Sequence, residues 1–277
     1  MPRHLGAPAS PDPRLVPDRA RPGAWLVRID GTDQSYVDPY DPYYLEFDYV
    51  QRVAAVIDTT WPEGQRITAL HVGGAAMAIP RYVAASRPTS AQIVFEPDAR
   101  LTEAVRAVAP LPRQSGIKVR ALDGWTGLTA MPDDYADLVV LDAFAGACVP
   151  AELSTAEWFS VVRRVIRPGG TVVMNLTDQA PFDYGRRVVA GIAADFDPVL
   201  LGAEPSTLKG RRFGNIVVAA GGDLDEPNLT RLAAGAAFPY RILSGQELTN
   251  WIGGAQPYSR ADAASSPRPS YGFFDAL

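Results

Sequence analysis

The sequence predicts an α/β domain built on a doubly wound parallel sheet. Three observations predict it. From residue 67 onward, short runs rich in Val, Ile and Leu alternate with segments of helical spacing. Those runs are near-continuously apolar, as strands are when helices cover both faces of a sheet. Finally, "ITALHVG" ends in Gly73-Gly74 directly before an apolar helical segment. That strand–glycine–helix order builds a nucleotide-binding turn, and ligands of such sheets sit beyond the carboxyl ends of the strands.

The elements follow in order. Residues 1–22 carry Pro2, Pro8, Pro11, Pro13, Pro17 and Pro22 among small and charged residues, and are predicted to form a disordered tail. Residues 23–40 read as a β-hairpin, two alternating runs around Asp30-Gly31. "PYDPYYLEFDYVQRVAAVIDTTW" opens with Asp-Pro turns and becomes a helix with Phe47, Val50, Val53, Ala54 and Ile57 on one face. Strand 67–73, helix 76–86, strand 91–96, helix 98–108, strand 117–122, a short helix after Trp125 and strand 137–142 come next.

"STAEWFSVVRRVI" begins with a predicted capping box, Ser154 capping the amide of Glu157 while Glu157 reaches back. Its helix is predicted to stop at Arg167-Pro168-Gly169-Gly170. Strand 170–175, helix 183–194, strand 197–202 and a last strand, 214–220, complete a domain spanning 41–222. Residues 223–277 supply a linker, helices near 226–234 and 245–252, and a tail. The tail's Tyr271, Phe273 and Phe274 are expected to dock, a neighbouring subunit of a homodimer being one place for them.

Composition narrows the function. The 277 residues are 47% hydrophobic, enough for one large α/β domain or two small ones. Net charge is −5, and no clustered basic face of a nucleic-acid binder is present. A single cysteine, Cys148, excludes an internal disulfide framework and points to a reducing compartment. His4, His71 and that cysteine cannot assemble a zinc site of the usual ligand types, so no metal is predicted. No secretory signal and no apolar run of about 18 residues is found, so the expectation is a cytoplasmic protein without a membrane span.

Four strand ends carry the chemistry. The Gly73-Gly74-Ala75-Ala76 turn lets backbone amides approach a ligand at a helix start, although such a turn also serves close packing alone. It lacks the Gly-Lys-Ser/Thr of a P-loop and the spacing of a dinucleotide turn. Glu96 ends the second strand about 20 residues later, where an acid can accept both hydroxyl protons of a ribose. A solvated strand-end acid is the alternative. Asp123-Gly124 could accept from an adenine amino group and leave space for the ring, or form an ordinary Asp-Gly turn. Asp142 closes "DLVVLDAF", placed to hold or deprotonate a nucleophile, or to cap a helix.

Taken in order, "DGTDQSYVD", "DPYYLEF", "LHVGGAAMAIPRYV", "IVFEPDA", "ALDGW", "DLVVLDAF" and "VIRPGGTVVMNL" resemble the spermidine synthase-like family. That family uses the class I S-adenosylmethionine-dependent transferase fold, a Rossmann-like sheet. The resemblance covers residues 30–220 or so and implies that the family's N-terminal β-domain is here reduced to a hairpin. It implies that Gln34, Gly73 and Gly74 flank the cofactor, Glu96 binds ribose and Asp123-Gly124 contacts adenine. It makes Asp142 the catalytic base, with Tyr44 and Glu46 lining the acceptor pocket. For that last pair a structural role is the alternative.

The departures bear on the substrate. The resemblance implies an acid where this chain has Ala76, a second acid where it has Ala145, and a polar residue at Leu45. Decarboxylated S-adenosylmethionine and a diamine are dications that need carboxylate partners. The carboxylate of intact S-adenosylmethionine would suit an acid-free turn of amides. The expected function is therefore transfer of a methyl or aminopropyl group to a small acceptor, leaning slightly to the intact cofactor. A non-catalytic nucleoside- or polyamine-binding homologue is the alternative.

Overall fold

A computed structural model describes residues 12–269. Three antiparallel strands open it, β1 (Leu15–Pro17), β2 (Trp25–Ile29) and β3 (Thr32–Val37), in the order β1-β2-β3. β2 and β3 are the predicted hairpin, turning at Asp30 and Gly31, both at positive φ. The predicted disordered tail fails over residues 12–22, while residues 1–11 lie outside the described residues. Arg14 pairs with Asp12 at 2.7 Å and with Asp98 at 2.5 Å, and Leu15 is buried. The proline content misleads because an edge strand tolerates Pro17, which has no amide to pair.

Helices and strands then alternate: α1 (Asp48–Thr60), β4 (Thr68–Val72), α2 (Ala78–Ser86), β5 (Ala91–Phe95), α3 (Ala99–Val108), β6 (Ile117–Arg120), α4 (Gly124–Thr129) and β7 (Ala136–Leu141). They continue with α5 (Ala156–Val165), β8 (Ile166–Asp178), α6 (Asp183–Asp195), β9 (Val199–Ala203), α7 (Pro205–Leu208), β10 (Gly214–Ala220), α8 (Glu226–Gly235), β11 (Arg241–Leu243) and α9 (Gly245–Ile252). The main sheet has eight strands in the order β11-β9-β10-β8-β7-β4-β5-β6.

The stretch from β6 to β8 is parallel, as predicted. The rest is not: β10 runs antiparallel to β8 and β9, and β11 to β9. An apolar run buried on both faces reads the same in either direction, so the reversal leaves no trace in composition. β10 is not the last strand either, because the three-residue β11 adds an edge.

The capping box is shifted. Thr155, not Ser154, caps α5 by accepting from the Trp158 amide at 3.3 Å, while the Ser154 hydroxyl meets the Tyr184 hydroxyl at 2.6 Å. Arg167 to Gly170 is no helix stop but the start of β8, since Ile166 is already extended and pairs with Ala136.

Apolar clusters lie on each face of the main sheet. Leu70, Val72, Trp158 and Ile192 belong to one, and Val53, Ile57, Ala69 and Ile79 to the other. Alternation along β4 therefore turns His71 to the face of Ala69, under α1 and α2. A third cluster seats the small sheet, Trp25, Val27 and Val37 packing with Ala76, Val94 and Leu101.

Residues 256–268 return across α5 as a strap. The Tyr258 carbonyl accepts from the Ala156 amide at 2.8 Å, and Arg260 lies 4.6 Å from the centroid of Trp125. Buried Ser266 donates its amide to the Val149 carbonyl and accepts the Val149 amide at its hydroxyl, 2.9 Å away. Tyr271, Phe273 and Phe274 lie outside the described residues. Among the described residues no helix is long and apolar enough to cross a membrane.

Candidate active site

A cleft of about 390 Å³ opens at the carboxyl ends of β4, β5 and β7 and the start of α4. Gln34, Gly73, Gly74, Glu96, Asp123, Gly124 and Asp142 all line it. Gln34 comes from β3, which the third apolar cluster holds against the main sheet.

Gly73 has φ +91, and a Cβ there would fall 2.2 Å from the Asp142 carbonyl oxygen. Only glycine lets β4 turn so close to the end of β7. A Cβ on Gly74 would meet Val94 Cγ1 at 2.7 Å, so β5 packs directly beneath the turn. Glu96 then closes it. Its Oε2 accepts from the Gly74 amide at 2.9 Å and the Ala75 amide at 3.0 Å, and its Oε1 from the Asp98 amide at 3.0 Å. Three backbone donors fix this carboxylate, and Oε1 keeps a lone pair for a further donor. The turn's first amides are thus already engaged, which corrects the expectation that they stand free for a ligand carboxylate.

Asp123 is exposed and acts as the N-cap of α4, accepting from the Thr126 amide and hydroxyl, each at 2.8 Å. Those bonds hold its carboxyl below the usual carboxylate range. Gly124 is small for a packing reason: a Cβ would lie 2.3 Å from Val72 Cγ1.

Asp142 sits at the end of β7, with its amide donating to the Val72 carbonyl at 2.9 Å. Its Oδ1 accepts from Asn175 Nδ2 at 2.9 Å, and its Oδ2 from the Tyr49 hydroxyl at 3.4 Å. Asn175 Oδ1 in turn accepts from Asn215 Nδ2 at 3.1 Å, so a polar chain crosses β10, β8 and β7. Burial pushes the Asp142 carboxyl up to about 6, against the pull of both hydrogen bonds. Burial, then the Asp142 charge, pushes the Tyr49 phenol well above its usual range, so it stays a donor. A carboxylate tuned to about 6 and aimed into a cleft suits a general base at neutral pH.

Tyr44 and Glu46, the expected acceptor-pocket pair, do not line this cleft. The Tyr44 hydroxyl donates to Glu46 Oε2 at 2.6 Å, and the Arg21 guanidinium lies over the Tyr44 ring. Both precede α1, whose first turn instead carries Tyr49 to Asp142. Tyr49, Asn175 and Asn215 are the residues that sequence reasoning missed. The signal for Asn175 was a lone amide inside the apolar run "VVMNL".

The missing acids resolve differently. Ala76 is buried beside Trp25 and Val94 in the third cluster, where a carboxylate would be costly. Ala145 does line the cleft and is exposed. Glu96, Asp98, Asp123, Asp142 and Glu152 all line the cleft, and among the described residues no arginine or lysine does.

No family model matches the chain. It is 37% identical over 60 residues to the probable polyamine aminopropyl transferase of Bifidobacterium longum, a match spanning 22% of this chain but only 13% of that relative's length. The crystal structure of a probable spermidine synthase from Corynebacterium glutamicum matches over 92% of this chain and 94% of that chain, with a TM-score of 0.82 and 28% identity. The chain is similar to spermidine synthase-like proteins, the family its sequence motifs resemble. The chain also shares its fold with human methyltransferase-like protein 13, solved with SAH, at TM-score 0.54 and 17% identity over 83% of this chain and 100% of that one. The Rossmann-like, class I methyltransferase-type sheet implied by the sequence is the observed fold.

Proposed function

We propose that the protein is a transferase that uses an S-adenosyl sulfonium to move an aminopropyl group to a small amine. The acid-lined cleft, with no lysine or arginine among its described lining residues, carries this reading. Such a cleft concentrates cations and repels anions. Decarboxylated S-adenosylmethionine and an amine acceptor are both cations and fit it. The nearby guanidinium of Arg14 is engaged by Asp98 and that of Arg260 lies over Trp125, and Glu96 already holds the Gly74 and Ala75 amides that the intact cofactor's carboxylate would use. The lean toward the intact cofactor follows from Ala76 and Ala145 and from an acid-free turn of amides. With those amides engaged by Glu96, and with Asp98, Asp123, Asp142 and Glu152 also lining the cleft, the decarboxylated cofactor is the preferred reading. The names of the bacterial relatives point the same way.

In this reading Gln34 and the Gly73-Gly74 turn flank the nucleoside, Glu96 accepts from the ribose, and Asp123-Gly124 lies by the adenine. Bound, the sulfonium nucleoside supplies an electrophilic carbon next to sulfur. Asp142, ionised at neutral pH, accepts a proton from the acceptor's ammonium and frees the nitrogen lone pair. Asn175 and Tyr49 hold both carboxylate oxygens, so the base does not reorient as it takes the proton.

Incubation with decarboxylated S-adenosylmethionine and putrescine, followed by mass spectrometry, tests the proposal. Spermidine and methylthioadenosine are the expected products. A methylated acceptor formed only from intact S-adenosylmethionine would overturn the aminopropyl assignment. Calorimetric nucleoside binding with no product from either donor would leave a binding protein and overturn the enzyme reading.

A further inference from the structure

His71 lines the same cleft and takes no part in the reaction above. It lies on β4, two residues before Gly73, with its side chain on the sheet face that α1 and α2 cover. Its register partner on β7, Val140, lines the cleft too, as do Tyr49 and Val50 of α1 and Ile79 and Pro80 of α2. Residues of the glycine turn, the first turns of both helices and His71 therefore line one cleft.

The hydrogen-bond network fixes the tautomer. Gln92 Nε2 donates to the Pro80 carbonyl at 3.0 Å, which leaves Gln92 Oε1 as an acceptor 2.9 Å from His71 Nε2. Nε2 must carry the hydrogen, and Nδ1 presents a lone pair. That Nδ1 is buried and has no partner. Burial lowers the imidazole to about 4, so it is neutral near pH 7 and is no proton donor at this atom. An apolar side chain would fill the space without an unmet acceptor, so the position calls for a donor from elsewhere.

We propose that His71 Nδ1 is a subsite for a primary amine, accepting an N–H of a ligand seated at the inner end of the cleft. The proposal rests on the transferase reading above, which supplies two amines: the aminopropyl end of the donor nucleoside and the acceptor. The acids that line the cleft favour a cation there, and the imidazole adds a directed hydrogen bond without adding charge. It supplies an acceptor near a turn whose own side chains, Ala75 and Ala76, offer none.

The full chain carries only two histidines, His4 and His71, so nitrogen-15 histidine spectra resolve the site directly. The free protein should show His71 with the hydrogen on Nε2 and a bare Nδ1. Decarboxylated S-adenosylmethionine or putrescine should shift the Nδ1 resonance toward that of a hydrogen-bonded acceptor, whereas methylthioadenosine, which has no aliphatic amine, should not. The probe that moves it identifies which amine occupies the subsite. A hydrogen on Nδ1, or an Nδ1 signal unmoved by amines that calorimetry shows to bind, overturns the subsite and leaves the transferase reading intact. Absence of binding by all three probes overturns both. In His71→Leu, affinity for the amine-bearing ligand should fall at least tenfold while methylthioadenosine affinity stays within twofold. Equal losses for both would mean a packing role only, and would also overturn the proposal.

Discussion

The hydroxyl of Tyr49, in the first turn of α1, donates to Asp142 Oδ2 at the end of β7, 3.4 Å away. With Asn175 on the other oxygen, the acid is held from two elements distant in sequence. Asp142→Asn preserves the shape and one acceptor but removes the base. Turnover is expected to fall about 10²- to 10⁴-fold, with nucleoside affinity within a few-fold by calorimetry. Turnover that survives would remove Asp142 from the role of base.

The same substitution should raise stability. The folded Asp142 carboxyl titrates near 6 against 3.8 for an unperturbed one, so the folded state holds its proton longer than the unfolded state. Stability from this group is therefore lost as pH rises from about 4 to about 6, by at most about 3 kcal/mol. Asp142→Asn escapes that loss. Its melting temperature should exceed wild type by a few degrees at pH 8, with the gap closing toward pH 4. A gap that does not depend on pH would contradict the burial account.

Asn175→Ala removes the hydrogen bond that most opposes the effect of burial on Asp142. The acidic limb of the kcat/KM profile should then move above 6, with full activity recovered at higher pH. A loss of activity uniform across pH would point to a displaced Asp142 rather than to a raised carboxyl.

Glu96→Ala releases the amides of Gly74, Ala75 and Asp98 together. Hydrogen bonds to a charged group contribute about 1.5–3 kcal/mol each, so nucleoside affinity should fall by at least about tenfold. Titration with methylthioadenosine isolates this effect from the acceptor chemistry. Unchanged affinity would exclude Glu96 from the nucleoside site.

Gly73→Ala places a methyl group against the Asp142 carbonyl at a positive φ. Gly64→Ala has the same kind of φ, +82, with nothing within 4 Å, and measures the backbone strain alone. Thermal unfolding should show a drop for Gly64→Ala of roughly 1 kcal/mol and a markedly larger one for Gly73→Ala. Equal drops would show that the turn can relax away from β7.

The parallel half of the fold was legible because each strand is an apolar run closed by glycine or an acid, and those closures are also the cleft. Gly73, Gly74, Glu96, Asp123 and Asp142 could be read for the same reason. The antiparallel half was not legible, since β10 reads "GNIVVAA" in either orientation. Tyr49 stayed hidden because contacts across 93 residues follow from helix placement, not from spacing. Tyr44 and Glu46 drew attention as a motif, yet their positions before α1 turn them toward each other. Ala76 read as a lost ligand-binding acid, whereas its surroundings make it a core residue.

The strap over α5 makes one wall of the cleft depend on distant chain. Trp125 is backed by Arg260, and Val149, next to the lining residue Pro150, is clasped by Ser266. A protease cutting between Gln256 and Ser266 would loosen this wall while the eight-stranded sheet remained folded. A nucleoside resting on Trp125 should slow that cleavage, so the rate of nicking becomes a label-free gauge of occupancy.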